Sequence, residues 1–177
     1  MAWACHGICV QPYWVAALQD APLPVITVAG FPFGADCKEH KAGGAARAAD
    51  DGAREIDIVL NIGALRSGDL AAVAADVAAV RRAIPGLSLK VILETGLLNP
   101  AELAVAARLC VEEGADFLKT CTGYGPRGAT VADVSMLKVF APVKASGGIR
   151  TREQAIALVE AGAERLGTSA TAAILGR

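Results

Sequence analysis

The chain has little that would send it to a membrane, to nucleic acid or out of the cell. No apolar run reaches the length of about 18 residues that a membrane-spanning helix needs. No charged stretch followed by an apolar core opens the chain, so no signal peptide is expected. Met1-Ala2-Trp3-Ala4-Cys5 offers the cysteine of a lipoprotein cleavage site without the apolar segment that should precede it. Neither sign of charge prevails: the formal net charge is −1, with both signs interspersed, which argues against a broad basic surface for nucleic acid. Linker-like stretches are missing too. The cysteines are five, an odd number, scattered at Cys5, Cys9, Cys37, Cys110 and Cys121, so no disulfide framework is implied and a cytoplasmic setting is expected. Cys5, His6 and Cys9 lack a second cluster at zinc spacing, and no metal is expected. Neither His6 nor His40 has a partner at a spacing that speaks for catalysis.

What is present is a chain of 177 residues, 54% hydrophobic, enough for one domain with a substantial core and too apolar to be disordered. Much of the apolar content is alanine, which suits helices packed on a sheet. Short apolar runs at Gly7–Val10, Pro24–Gly30, Arg54–Leu60, Leu89–Leu93, Asp116–Thr120, Pro142–Ser146 and Glu164–Thr168 read as strands. Between them the pattern predicts helices over Pro12–Gln19, Cys37–Asp51, Asp69–Ile84, Pro100–Gly114, Val131–Phe140 and Arg152–Ala161, and a short terminal helix opened by Ser169. Pro24–Gly30 is apolar at every position, as a parallel strand covered on both faces should be. Alternation throughout makes residues 1–177 a single α/β domain.

Seven strands fit either an open doubly wound sheet or a (β/α) barrel. An open sheet gathers its site at one switch point. Here polar residues follow almost every strand: Asp57 to Asn61, Glu94-Thr95, Lys119-Thr120, Lys144 to Ser146 and Thr168-Ser169. That distribution favours a barrel.

Three charged groups stand where a packed barrel wants valine: Lys119 in DFLKT, Lys144 in PVKAS and Asp57 in EIDIVLN. Alone, each lysine reads as a surface residue at a strand end. Together with Asp57 they suggest a catalytic device. A protonated amine is a poor nucleophile, and a neighbouring cation favours its neutral form. The free amine condenses with a carbonyl to an iminium, which makes the adjacent carbon acidic, and a carboxylate working through water can carry the proton. Lys90 sits near a strand start and reads as structural, whereas Glu94 could hold a lysine by an ion pair.

GYGPRG (Gly123–Gly128) is formally a dinucleotide fingerprint, but Pro126 stiffens the turn and the next strand ends in Lys144-Ala145-Ser146 with no acidic residue for a ribose. A substrate loop whose glycines admit close backbone approach fits better. Gly147-Gly148 and Gly167-Thr168-Ser169 read either as ordinary strand-to-helix turns or as a phosphate site, and two such turns in succession favour phosphate.

The segments EIDIVLNIGALRSGD, LKVILETGLL, GADFLKTCTGYGPRGATVADV, VKASGGIRT and AGAERLGTS, taken in order, strongly resemble the deoxyribose-phosphate aldolase family. The likeness runs from about Gly7 to the C-terminus. It implies a TIM (β/α)8-type barrel and reversible cleavage of 2-deoxy-D-ribose 5-phosphate to D-glyceraldehyde 3-phosphate and acetaldehyde. No cofactor is implied, and dimers are frequent in the family. On the matching motifs, Lys119 forms the Schiff base, Lys144 is the neighbouring cation and Asp57 the proton-relay carboxylate. Substrate and phosphate contacts fall on Thr120, Thr122, Gly123, Gly147, Gly148, Gly167 and Ser169. Cys121 and Ala170 stand where the family usually has serines. The family's first strand, with its aspartate-histidine-threonine segment, and the helix after it have no counterpart, so about seven strands are expected. Two rival readings are a phosphate-binding barrel of other chemistry, such as an isomerase, and an inactive relative.

Overall fold

A computed structural model of the chain describes residues 5–176; Met1 to Ala4, part of the stretch weighed as a leader, lie outside them. Seven strands, β1 (Ile8–Val10), β2 (Val25–Ala29), β3 (Glu55–Val59), β4 (Ser88–Ile92), β5 (Phe117–Lys119), β6 (Val143–Ser146) and β7 (Arg165–Gly167), pair in chain order, each parallel to the next. Helices α1 (Lys38–Asp50), α2 (Ile62–Arg66), α3 (Leu70–Ala83), α4 (Pro100–Glu112), α5 (Val131–Leu137), α6 (Arg152–Ala161) and α7 (Thr171–Ile174) alternate with them. Parallel neighbours require crossovers, and the alanine-rich helices supply them.

The sheet curls as a barrel wall does. Glu55 on β3 meets Arg165 on β7, and Asp57 on β3 meets Lys144 on β6, although these strands are not neighbours. Side chains from such distant strands touch only across a concave interior. On the convex side, Ile56, Ile58, Leu89, Val91, Leu118 and Val143 are fully enclosed beneath the helices. Among the described residues β1 pairs only with β2 and β7 only with β6, which leaves a cavity of about 840 Å³ lined by Gly7, Ile8, Arg165 and Leu166. The expected barrel of about seven strands is therefore the observed fold.

Three local expectations differ. Pro12–Gln19 forms two 3-10 turns, Pro12–Trp14 and Ala16–Leu18, in place of an α-helix. Val15 is buried there, while Tyr13 and Trp14 face solvent, so no apolar stripe exists to dock a longer helix. The loop after β3 contains α2, whose start is capped by the Asn61 side chain accepting from the Ala64 amide at 3.0 Å. The terminal helix begins at Thr171, because the Thr168 hydroxyl accepts from the Ala170 amide at 2.9 Å and closes a turn around Ser169.

Candidate active site

Parallel register brings the charged groups together before any side chain is considered. Lys119 on β5 is the direct partner of Lys144 on β6, and Asp57 on β3 is the direct partner of Lys90 on β4. All four side chains point inward and are almost fully buried. Lys119 and Lys144 each donate from Nζ to the same oxygen, Asp57 Oδ2, at 2.8 Å. Lys90 donates to the other oxygen, Oδ1, at 2.9 Å. Burial alone would push the Asp57 carboxyl up, but the ammonium groups of Lys119, Lys144 and Lys90 outweigh it and hold the group far below the usual carboxylate range. Asp57 is wholly enclosed.

Lys90 and Glu55 are the neighbours of this cluster that sequence reasoning set aside or missed. Lys90 pairs with Glu55 as well as Asp57, and Glu55 also accepts from Arg165 at 2.8 and 2.9 Å and lies 2.6 Å from His6 Nε2. Burial opposes ionisation of Glu55, but Lys90, His6 and Arg165 hold its carboxyl down to about 2. Arg165 in turn lies over the Phe117 ring at 4.4 Å. The spacing of Glu55 and Asp57, two apart on one strand, was the available signal: both point to the same face.

A cavity of about 540 Å³ opens on Lys119 and Lys144 and is lined by Thr122, Gly123, Gly147, Gly148, Gly167 and Ser169. These are the expected ligand contacts except Thr120. The Thr120 hydroxyl is committed to the Ser146 backbone, donating to its carbonyl at 2.9 Å and accepting from its amide at 3.0 Å, so it ties β5 to β6 and does not face the cavity. Gly147 and Gly148 have φ of 90° and 72°, a backbone that glycine adopts freely. Gly128 packs directly on the Gly147 carbonyl, where a Cβ would collide with the oxygen. Arg150, not singled out from sequence, also lines this end and adds a cation beside the glycine turns.

The opposite wall is the loop after β5. Glu94, expected to pair with a lysine, instead accepts from the Thr122 amide at 3.1 Å and from the Thr122 hydroxyl. The far end of the loop is tied by Asp133, which accepts from Thr95 Oγ1 at 2.9 Å and from both terminal nitrogens of Arg127. Cys121 lies 3.3 Å from Thr95 Oγ1, and burial pushes its thiol up, so the sulfur stays neutral. Tyr124 stands at the mouth with its ring edge-on to Phe31, centroids 5.6 Å apart.

Residues 4–177 match the family described as DeoC/LacD family aldolase. A deoxyribose-phosphate aldolase from Brevibacillus brevis is 49% identical over 177 residues, covering 96% of this chain and 80% of that protein. One from Thermus thermophilus is 49% identical over 178 residues, covering 96% and 81%. Among solved structures, an aldolase described as QR15 superposes with a TM-score of 0.93 at 41% identity, covering 97% of this chain and 80% of the other. The tetrameric deoxyribose phosphate aldolase of Aeropyrum pernix gives 0.87 at 30%, covering 96% and 76%. With two inward amines, a shared carboxylate and a glycine-lined cavity at the same end of the sheet, the chain belongs to the DeoC/LacD family of aldolases.

Proposed function

We propose that residues 1–177 act as one (β/α) barrel domain, a class I aldolase that reversibly cleaves 2-deoxy-D-ribose 5-phosphate to D-glyceraldehyde 3-phosphate and acetaldehyde. The observation that carries this reading is the pair of amines, Lys119 and Lys144, 2.8 Å from one Asp57 oxygen at the floor of a cavity whose rim holds Gly147 and Gly148. The two closely similar relatives from Brevibacillus brevis and Thermus thermophilus are both named for this activity.

Lys119, once its ammonium has given up a proton to solvent, attacks C1 of the open-chain sugar, and loss of water gives an iminium. Removal of the C3 hydroxyl proton lets the C2–C3 bond break, its electron pair passing to C2 to form the enamine as glyceraldehyde 3-phosphate departs. Protonation at C2 and hydrolysis release acetaldehyde and restore the amine. Lys144 is the neighbouring cation and proton carrier, and Asp57 aligns both nitrogens and takes part in the relay through them. Amides at Gly147, Gly148 and Gly167, with the Ser169 hydroxyl, receive the phosphate beside Arg150.

The setting is the cytoplasm; among the described residues no helix is long and apolar enough to cross a membrane. Self-association as a homodimer belongs to the same proposal, and the Aeropyrum pernix relative, a tetramer, gives this fold a precedent for oligomers. Sedimentation distinguishes these states.

Borohydride in the presence of acetaldehyde tests the chemistry. Reduction of the iminium leaves an N-ethyl group on Lys119, found by peptide mass. No adduct, or retained turnover in Lys119→Arg, overturns the proposal.

A further inference from the structure

Glu94, two residues past the end of β4, bears two unfavourable features with no role in the amine chemistry to account for them. Its φ is 50°, which makes it the non-glycine residue of positive φ among those described. A left-handed backbone at a residue with a Cβ persists only where its surroundings hold it. The residue is 3% exposed, and its Oε1 has no hydrogen-bond partner, a buried polar atom left unsatisfied.

The hydrogen bonds that the Glu94 side chain does make all go to the loop facing the ligand. Oε2 accepts from the Thr122 amide and hydroxyl. The same hydroxyl accepts from the Tyr124 amide at 3.0 Å. Gly125 lies flat against the carboxylate, where a Cβ would overlap Oε1. Thr122, Gly123 and Tyr124 are the cavity wall opposite the glycine turns, and Tyr124 reaches the Phe31 ring across the mouth. The other end of the loop is fastened independently by Thr95, Arg127 and Asp133, so loss of the Glu94 contacts frees one end and leaves the other in place.

The geometry points to Glu94 as a positioning residue that holds Thr122 to Tyr124 in the ligand-facing conformation, and so sets affinity for the phosphorylated sugar without entering the bond-making at Lys119. This inference rests on the aldolase reading above. It treats the strained backbone and the unpartnered oxygen as the local cost of aiming one carboxylate at Thr122.

The test compares wild type with Glu94→Ala, Glu94→Gln and Glu94→Asp. Glu94→Ala is expected to raise KM for 2-deoxyribose 5-phosphate about tenfold while kcat falls less than about threefold, the split that marks lost binding geometry. Trapping of acetaldehyde on Lys119 by borohydride should stay within about twofold of wild type, because that small aldehyde needs only the amine. Glu94→Gln keeps an acceptor for Thr122 and should restore KM. Glu94→Asp, which draws the carboxylate back from Thr122, should repeat the KM effect and carries the test if Glu94→Ala does not fold. An unchanged KM in the folded variants, or a fall in trapping equal to the rise in KM, overturns the proposal. If wild type neither cleaves the sugar nor traps acetaldehyde, the aldolase reading fails. Hydrogen exchange then still decides the positioning: faster exchange at the Thr122 and Tyr124 amides in Glu94→Ala supports it, and unchanged exchange sinks it.

Discussion

Lys119 and Lys144 are register partners on adjacent strands, and both nitrogens rest on a single oxygen of Asp57 at 2.8 Å. Replacing Lys144 with leucine leaves Asp57 Oδ2 with Lys119 alone and removes the proposed proton carrier from the cavity. The kcat of Lys144→Leu for substrate cleavage is therefore expected to fall on the order of a hundredfold or more. Steady-state kinetics on the folded variant check it, and an unchanged kcat would remove Lys144 from this role.

Acid stability should depend on Glu55. Its carboxyl is held at about 2 against an ordinary 4.5, so the folded state binds this proton less readily than the unfolded chain. The stabilisation is present above about pH 4.5 and is lost as pH falls toward 2. Asp57 and Asp133 are lowered and act in the same sense, while Asp76 is raised and acts in the opposite one. Glu55→Gln is expected to be less stable at neutral pH, since Lys90 and Arg165 lose an anion. Its urea midpoint should also fall less steeply across that window, as measured by circular dichroism.

The end proposed to receive the phosphate has a mechanical weak point at Gly128. A Cβ there would meet the Gly147 carbonyl carbon and oxygen, so Gly128→Ala must push the Gly147–Gly148 turn or its own loop aside. The expected outcome is a rise in KM of about tenfold or more for the phosphorylated sugar, with any cleavage of unphosphorylated deoxyribose changed by less than about threefold. Equal effects on both substrates would mean that the damage reaches the lysines.

Much of the architecture was legible because it is repetitive and apolar. VITVA and EIDIV are buried at every position, and pattern alone located them as strands. Asp69 and Pro100 marked helix starts correctly. Lys119, Lys144 and Asp57 announced themselves as charges in apolar runs. What the sequence left hidden depends on distance across the interior. Lys90 looked like a strand-start lysine until register set it against Asp57, and Glu55 needed the curl that brings Arg165 to it. Thr120, adjacent to the lysine, alternates to the other side and binds backbone. The short helix α2 has too few residues to display a period.

Away from the site, Lys41 offers a buried pair whose removal should strengthen the pH dependence that the raised Asp76 carboxyl already sets. Lys41 is 1% exposed, and its Nζ donates to the Gly34 carbonyl at 3.1 Å, the Val59 carbonyl at 2.9 Å and Asp76 Oδ2, so all three ammonium protons are used. Burial already pushes the Asp76 carboxyl up despite this partner. In Lys41→Met the carboxylate is enclosed without a cation, a change that costs about 3–5 kcal/mol. The variant should be relatively more stable at mildly acidic pH than at alkaline pH, because a carboxyl whose folded value is raised contributes stability that is lost as pH rises. Lys41→Met with Asp76→Leu removes the stranded charge and should recover a substantial part of the loss. Denaturant midpoints for the two single variants and the double variant, each at two pH values, measure the coupling. Additive losses would mean that Lys41 acts through the Gly34 and Val59 carbonyls alone.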